Sequence, residues 1–219
     1  MKRIKISFIL NALIVLLVVI GCICMFADIN FMPVKNEVLV SNKLEMLKYY
    51  TVDSNILIGI VSFVLLIYEY LYFKKKINNV PKFAYVLKYV GTSTIALTFI
   101  TTLVFLSPRY GFYSMYNNSN LIFHLIVPLL SFTSYVFFEK YSADYKEGVF
   151  GILPMLVYAI YYTGNIFSHL NSGGLTSKYD FYGFLFGNIY NAVIVAPIIV
   201  LVTYLIGLLV LYLNKEFKK

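Results

Sequence analysis

The sequence predicts an all-α, polytopic membrane protein with six transmembrane helices, and three observations predict it. The 219-residue chain is 60% hydrophobic and 13% charged, with a mean hydropathy of +0.79, whereas a soluble domain carries about a quarter charged residues. Its apolar residues gather into six runs of about 20, the length a helix needs to cross the hydrocarbon of a bilayer. Lipid offers no partner for backbone N–H and C=O groups, so runs of this kind must be helical. The alternating strands of about 10 residues that mark a β-barrel do not occur in the sequence.

The first helix is expected at about 6–26, after the basic start Lys2, Arg3 and Lys5. Val19-Ile20-Gly21-Cys22 also resembles the end of a lipoprotein signal. The polytopic remainder needs no lipid anchor, so the run reads better as a retained helix. Cys22 and Cys24 point to different sides of that helix and have neither disulfide-framework nor metal-site spacing. The second helix is expected at about 51–73. The chain has no Trp, so Tyr68, Tyr70 and Tyr72 would form an interfacial belt there, with Glu69 snorkelling beside Lys74, Lys75 and Lys76.

The third helix is expected at about 83–106, with Lys88 one turn inside and snorkelling to the inner surface. Gly91, Thr94, Thr98 and Thr101 form a stripe that reads as close helix packing or as the lining of a lipid pocket. Tyr110, Tyr113 and Tyr116 follow as the outer belt. The remaining helices are expected at about 120–138, 148–167 and 190–213. Only loops 27–50 and 168–189 are long, so residues 1–219 form a single six-helix transmembrane domain.

Charge sets the orientation. Twelve basic residues flank one side: Lys2, Arg3, Lys5, Lys74, Lys75, Lys76, Lys82, Lys140, Lys146, Lys215, Lys218 and Lys219. Five lie on the other: Lys35, Lys43, Lys48, Arg109 and Lys178. The positive-inside rule then puts both termini in the cytoplasm of a multi-pass cell-membrane protein. The net charge of +8 is thereby explained by topology, and no nucleic-acid motif accompanies it. No cofactor motif or metal-ligand spacing is present, so neither is expected. The predicted membrane interior has no mid-depth Asp, Arg or Lys, which argues against proton- or ion-coupled transport.

Two polar segments stand out. Lys48-Tyr49-Tyr50-Thr51-Val52-Asp53-Ser54-Asn55 opens the second helix, and at ~100° per residue Thr51, Ser54 and Asn55 share a face. Asn120, His124 and Pro128 share a face at the start of the fourth, with His124 one turn (~6 Å) below its end. Topology brings Thr51 and His124 to the same outer layer. A hydroxyl needs a base within hydrogen-bond reach to act as a nucleophile, and His can take that proton near neutrality. Ser54 and Asn55 are candidate oxyanion donors, with Ser54 the alternative nucleophile. Arg109 is a candidate for holding a lipid carboxylate or phosphate, or else an interfacial anchor. Asn120, Tyr158 or Tyr162 would orient His124. The competing readings are that Thr51 and Ser54 only cap a helix, and that His124 only bonds a neighbouring helix. His169 reads as a solvated loop residue.

The two segments resemble the androgen-induced-gene family of integral membrane proteins. Its vertebrate members are threonine hydrolases that split fatty acid esters of hydroxy fatty acids, and bacterial six-helix proteins group with them. The family pattern is an aromatic pair, Thr, two residues, then Ser-Asn: here Tyr49-Tyr50-Thr51-Val52-Asp53-Ser54-Asn55. A His followed by Pro four residues on matches His124 and Pro128. An aromatic-rich segment before the last helix matches Asp180-Phe181-Tyr182-Gly183-Phe184, although Tyr182-Gly183 stands where a Tyr-Pro type sequence is expected. The Lys, Ile, Asn and Tyr bias fits a low-GC bacterial genome. The resemblance implies Thr51 as nucleophile, His124 as its partner and a membrane lipid or fatty acyl ester as substrate. A membrane acyltransferase with the same dyad and a non-enzymatic lipid-binding or scaffold protein are the alternatives. The sequence fixes no oligomeric state.

Overall fold

The computed structural model describes residues 2–33, 44–140 and 143–218. Lys35, Lys43 and Lys219, which enter the charge count, lie outside the described residues. Six helices are long and apolar enough to cross a membrane: α1 Lys2–Phe26, α2 Tyr50–Phe73, α3 Lys82–Tyr110, α4 Asn118–Phe138, α5 Glu147–Ser168 and α6 Ile189–Glu216. Each matches its expected run to within a few residues, and no strand occurs among the described residues. Ile9, Phe63, Val104, Ile160, Val193 and Leu205 are large, apolar and exposed on the outer faces of the helices. An apolar belt of this extent requires lipid around it, and the protein is a multi-pass membrane protein.

Helix α3 is the hub. It packs against α2, α4, α5 and α6, while α1 lies against α2 and α4. Gly91 lets α2 and α3 approach closely, because a Cβ there would lie 2.6 Å from Val61 Cγ2 and 2.9 Å from Ile58 Cδ1. Hydroxyl pairs tie the helices where apolar burial gives no drive in lipid: Ser54 Oγ with Thr98 Oγ1 at 2.8 Å, and Thr92 Oγ1 with Ser131 Oγ at 3.0 Å.

Prolines shape the helix turns at the end of the bundle that carries Thr51. Pro108 and Pro128 have no N–H for the carbonyls of Val104 and His124. In each case the preceding turn widens to a π-turn, at Thr102–Leu106 and Ile122–Ile126. In α3 the Ser107 Oγ also donates to Thr102 O, at 2.7 Å, within the widened turn. Such turns re-aim side chains and often sit at functional positions.

Two sequence expectations are overturned at the other end. Neither Glu69 nor Lys88 snorkels, since both are 0% exposed. Ser7 Oγ donates to Glu69 Oε1 at 2.7 Å and Lys88 Nζ donates to Ser62 Oγ at 2.7 Å. Both point into the bundle because α2 and α3 are enclosed by neighbours on the faces that carry them. Buried ionisable groups are thus present in the bundle, and their absence no longer speaks against proton- or ion-coupled transport.

Candidate functional site

Tyr49 is extended (φ −89°, ψ 127°) and caps α2 with no side-chain cap. Its carbonyl accepts from Val52 N at 2.9 Å and Asp53 N at 3.3 Å. Thr51 is therefore inside the helix and is not its cap, which overturns the capping reading. Of the aromatic pair before it, Tyr49 docks on the segment ahead of α6 and Tyr50 on α5. The Tyr49 ring meets Phe181 at 5.1 Å edge-on, and Tyr50 meets Tyr158 at 5.0 Å. Edge-on aromatic contacts of this kind favour one fixed arrangement.

Half-buried Thr51 lines an apolar cavity of about 310 Å³ between α2, α3, α5 and α6. Thr98, Thr101 and Thr102 of the α3 stripe also line it, so the stripe serves packing at Gly91 and a pocket further out. Tyr158 and Tyr182 close its polar end. The Tyr182 phenol meets the hydroxyls of Thr51 and Tyr158, and Tyr158 Oη donates to Lys48 O at 2.7 Å. Burial pushes the Tyr182 phenol well above its usual range, against partial opposition from those hydrogen bonds, so it stays a neutral O–H donor.

Asp180 holds this segment in shape. It is 4% exposed and accepts from Tyr162 Oη at 2.5 Å, Phe184 N at 3.0 Å and Leu185 N at 3.2 Å. Gly183 follows at φ +66°, and a Cβ there would lie 2.5 Å from Arg109 Nη2. Proline cannot adopt that φ, so a Tyr-Pro step does not fit at this position. Arg109 Nη1 donates to the carbonyls of Tyr182 and Gly183 at 3.3 and 3.4 Å, and its guanidinium lies over the Tyr110 ring at 5.3 Å. Arg109 thus clamps the wall of the cavity.

His124 is 5% exposed and does not line the cavity. Its Nδ1 lies 2.6 Å from Met115 O, and its ring meets Tyr116 edge-on at 6.3 Å. A carbonyl partner requires Nδ1 to carry the proton, so Nε2 is the acceptor in the neutral ring. No hydrogen bond joins Thr51 to His124 among the described residues. Asn55 stands between them: its Nδ2 donates to Thr51 O at 2.8 Å and to Phe123 O at 3.1 Å.

Several expected roles change accordingly. Ser54 Oγ donates to Thr51 O at 2.9 Å, so the Ser54 and Asn55 donors are engaged within the protein and neither residue lines the cavity. An oxyanion role for them does not fit this geometry. Asn120 Nδ2 reaches Ser114 O at 3.3 Å and Tyr162 reaches Asp180. With Tyr158 on Lys48, none of the three orients His124; the Met115 carbonyl does. His169 stacks on Tyr179 at 4.1 Å, and its Nδ1 lies 2.8 Å from Asn165 O, away from the site. Asp180 and Tyr182 were visible in sequence only as part of an aromatic-rich segment. No group of three or more His, Cys, Asp or Glu among the described residues is arranged to hold a metal. No family model, curated protein or solved structure matches the chain.

Proposed function

We propose that this protein is a lipid-ester hydrolase of the cell membrane, with Thr51 as nucleophile and His124 as general base near the outer leaflet. The family resemblance of the Thr51 and His124 segments supports the reading. The observation that carries it is a nucleophile-type hydroxyl, beside the Tyr158 and Tyr182 phenols, in the wall of a largely apolar cavity, where an acyl chain can lie with its ester at Thr51. Thr51 Oγ attacks the ester carbonyl and its proton passes to His124 Nε2. The alcohol leaves with that proton, and water then releases the fatty acid by the same two groups. Tyr182, neutral and beside Thr51, is the donor best suited to the developing oxyanion. The reaction requires α2 and α4 to close across Asn55 until Nε2 is within ~3 Å of Oγ, a tightening that substrate commonly produces.

Fatty acid esters of hydroxy fatty acids are the substrate class the resemblance suggests, and acyl transfer to a lipid alcohol would use the same acyl-threonine. One observation favours a second reading, a non-enzymatic lipid-binding protein: Thr51 meets Tyr182 and not His124. Hydrolysis of a fluorogenic fatty acyl ester by purified protein separates the two. The hydrolase reading expects wild-type turnover that falls at least ~10²-fold in both Thr51→Ala and His124→Ala. Equal rates in all three overturn it. No turnover, with a fluorescent fatty acid still bound by wild type and displaced by Thr51→Phe, leaves lipid binding as the function.

A further inference from the structure

The opposite end of the bundle holds a second polar site, built by five helices. Glu69 of α2, Lys88 of α3 and Glu139, the residue after α4, are all 0% exposed. Ser7 Oγ donates to Glu69 Oε1 at 2.7 Å, Ser134 Oγ to Glu139 Oε1 at 3.0 Å, and Lys88 Nζ to Ser62 Oγ at 2.7 Å. Asn11 of α1, also 0% exposed, donates to Ser7 O and Oγ at 3.0 and 3.2 Å, and its side chain adjoins Glu139. Just after α6, Lys218 Nζ donates to Asn214 Oδ1 of that helix at 2.8 Å, and Asn214 Nδ2 in turn holds Tyr135 O.

Three acceptors are left over. Glu69 Oε2, Glu139 Oε2 and Asn11 Oδ1 are buried without a donor. No direct ion pair joins Lys88 to either carboxylate among the described residues. Bare buried acceptors are costly, and so is an uncompensated buried charge. Two fully buried carboxylates face one fully buried ammonium, Lys88, and the second cation that faces Glu139, Lys218, lies at the rim, so the enclosed set alone carries one negative charge over. A single proton answers both problems, since it neutralises the set and turns one orphaned carboxyl oxygen into a donor.

We propose that this chamber is a proton-binding site: the Glu69/Glu139 pair holds one proton opposite Lys88 and exchanges it, through Lys218, with the side of the membrane that carries the chain termini. The other groups facing the pair are Tyr85 of α3, which faces both carboxylates, and Tyr135 of α4, which faces Glu139. Glu147 of α5 faces Tyr135, and Arg3 of α1 faces Lys218. Burial lowers the Lys218 ammonium to about 8, with Glu139 opposing and Arg3 assisting, so this rim group exchanges protons near neutrality. The site is separate from Thr51, and the proposal stands whether or not that residue is a nucleophile.

Infrared difference spectroscopy of the full chain in detergent reads a protonated carboxyl through its C=O stretch. The expected result is one such band at neutral pH, retained in Asp53→Asn, which removes an acid at the opposite end. The band is lost in Glu69→Gln and in Glu139→Gln, because each leaves one carboxylate for one ammonium. It roughly doubles in Lys88→Gln, where both carboxyls must be neutral. Lys218→Met slows hydrogen–deuterium exchange of the band and leaves its amplitude unchanged. If the Glu→Gln variants do not fold, the wild-type titration and the Lys88→Gln doubling decide the matter. No band in wild type across the neutral range, or a band untouched by both Glu→Gln changes, overturns the proposal. A band that vanishes when sodium chloride replaces choline chloride at constant pH overturns the proton as the ligand and assigns the site to sodium.

Discussion

Asp180 gives the sharpest test of how the Thr51 cavity is held. Replacing it with Ala leaves three donors without their acceptor: Tyr162 Oη, Phe184 N and Leu185 N. Each stranded donor costs ~1–3 kcal/mol, and the low end applies because the segment is a loop between two helices that can open to admit water. The sum is about 3 kcal/mol, or ~10²-fold in the opening equilibrium of the segment. Amide hydrogen exchange followed by mass spectrometry reads this directly, since two of the three donors are exchanging amides. Protection at Phe184 and Leu185 is expected to fall ~10²-fold, with the transmembrane helices unchanged. Tyr162→Phe removes one partner of Asp180 and the long 3.4 Å acceptor of Tyr182 N but leaves both amides on the carboxylate, so its cost is about 1 kcal/mol and its effect ~5-fold. Unchanged protection in Asp180→Ala, or equal effects of the two variants, would refute the account of Asp180 as the clamp. Because Tyr182 lies inside the same turn, the ester hydrolysis proposed for Thr51 should fall in the same order.

Other consequences are checked by thermal unfolding in detergent. Asn55→Leu removes the only described side-chain link between the Thr51 and Phe123 carbonyls, and should cost about 2 kcal/mol, less if Leu fills the space. A neutral result would mean that α2 and α4 are held by packing alone. Gly91→Val should destabilise by ~1–3 kcal/mol through collision with Val61 and Ile58, whereas the same change at Gly164, which has open space around it, should not. Glu139 sets a pH dependence. Burial raises its carboxyl above the ordinary 4.5, with Lys88 opposing. The folded state therefore holds the proton more tightly than the unfolded state, and its stabilising contribution is complete below 4.5 and lost as pH rises through the folded value. Wild type should lose stability relative to Glu139→Gln over that rise, and a parallel pair of curves would refute the assignment.

The helices were legible because hydropathy over a window of about 20 residues reports the one thing lipid demands of the backbone. Their order around α3 was not legible, since an all-apolar helix gives no face to its neighbours in sequence. The Thr51, Ser54 and Asn55 face was legible from helical spacing, but spacing does not say which hydroxyl meets a cavity. Ser54 turns to Thr98 on α3, and Thr51 turns to Tyr182 in a loop more than 100 residues away. The hydrogen bond that fixes the His124 tautomer comes from a backbone carbonyl, Met115 O, and every residue type offers one.

The same reasoning explains why Lys88 and Glu69 were misread. A basic or acidic residue one turn from a helix end snorkels only if its face of the helix meets lipid or water. Lys88 lies on α3, which packs against α2, α4, α5 and α6, and is itself fully buried. Its side chain therefore has protein on every side, and its length carries it further into the bundle. Glu69 shares that fate because Ser7 of α1 covers it. Depth along the helix was read correctly and direction around it was not, so a residue that looked like an anchor is the base of an enclosed polar chamber. Charged residues near the ends of a hub helix are thus better candidates for buried chemistry than the same residues on a peripheral helix.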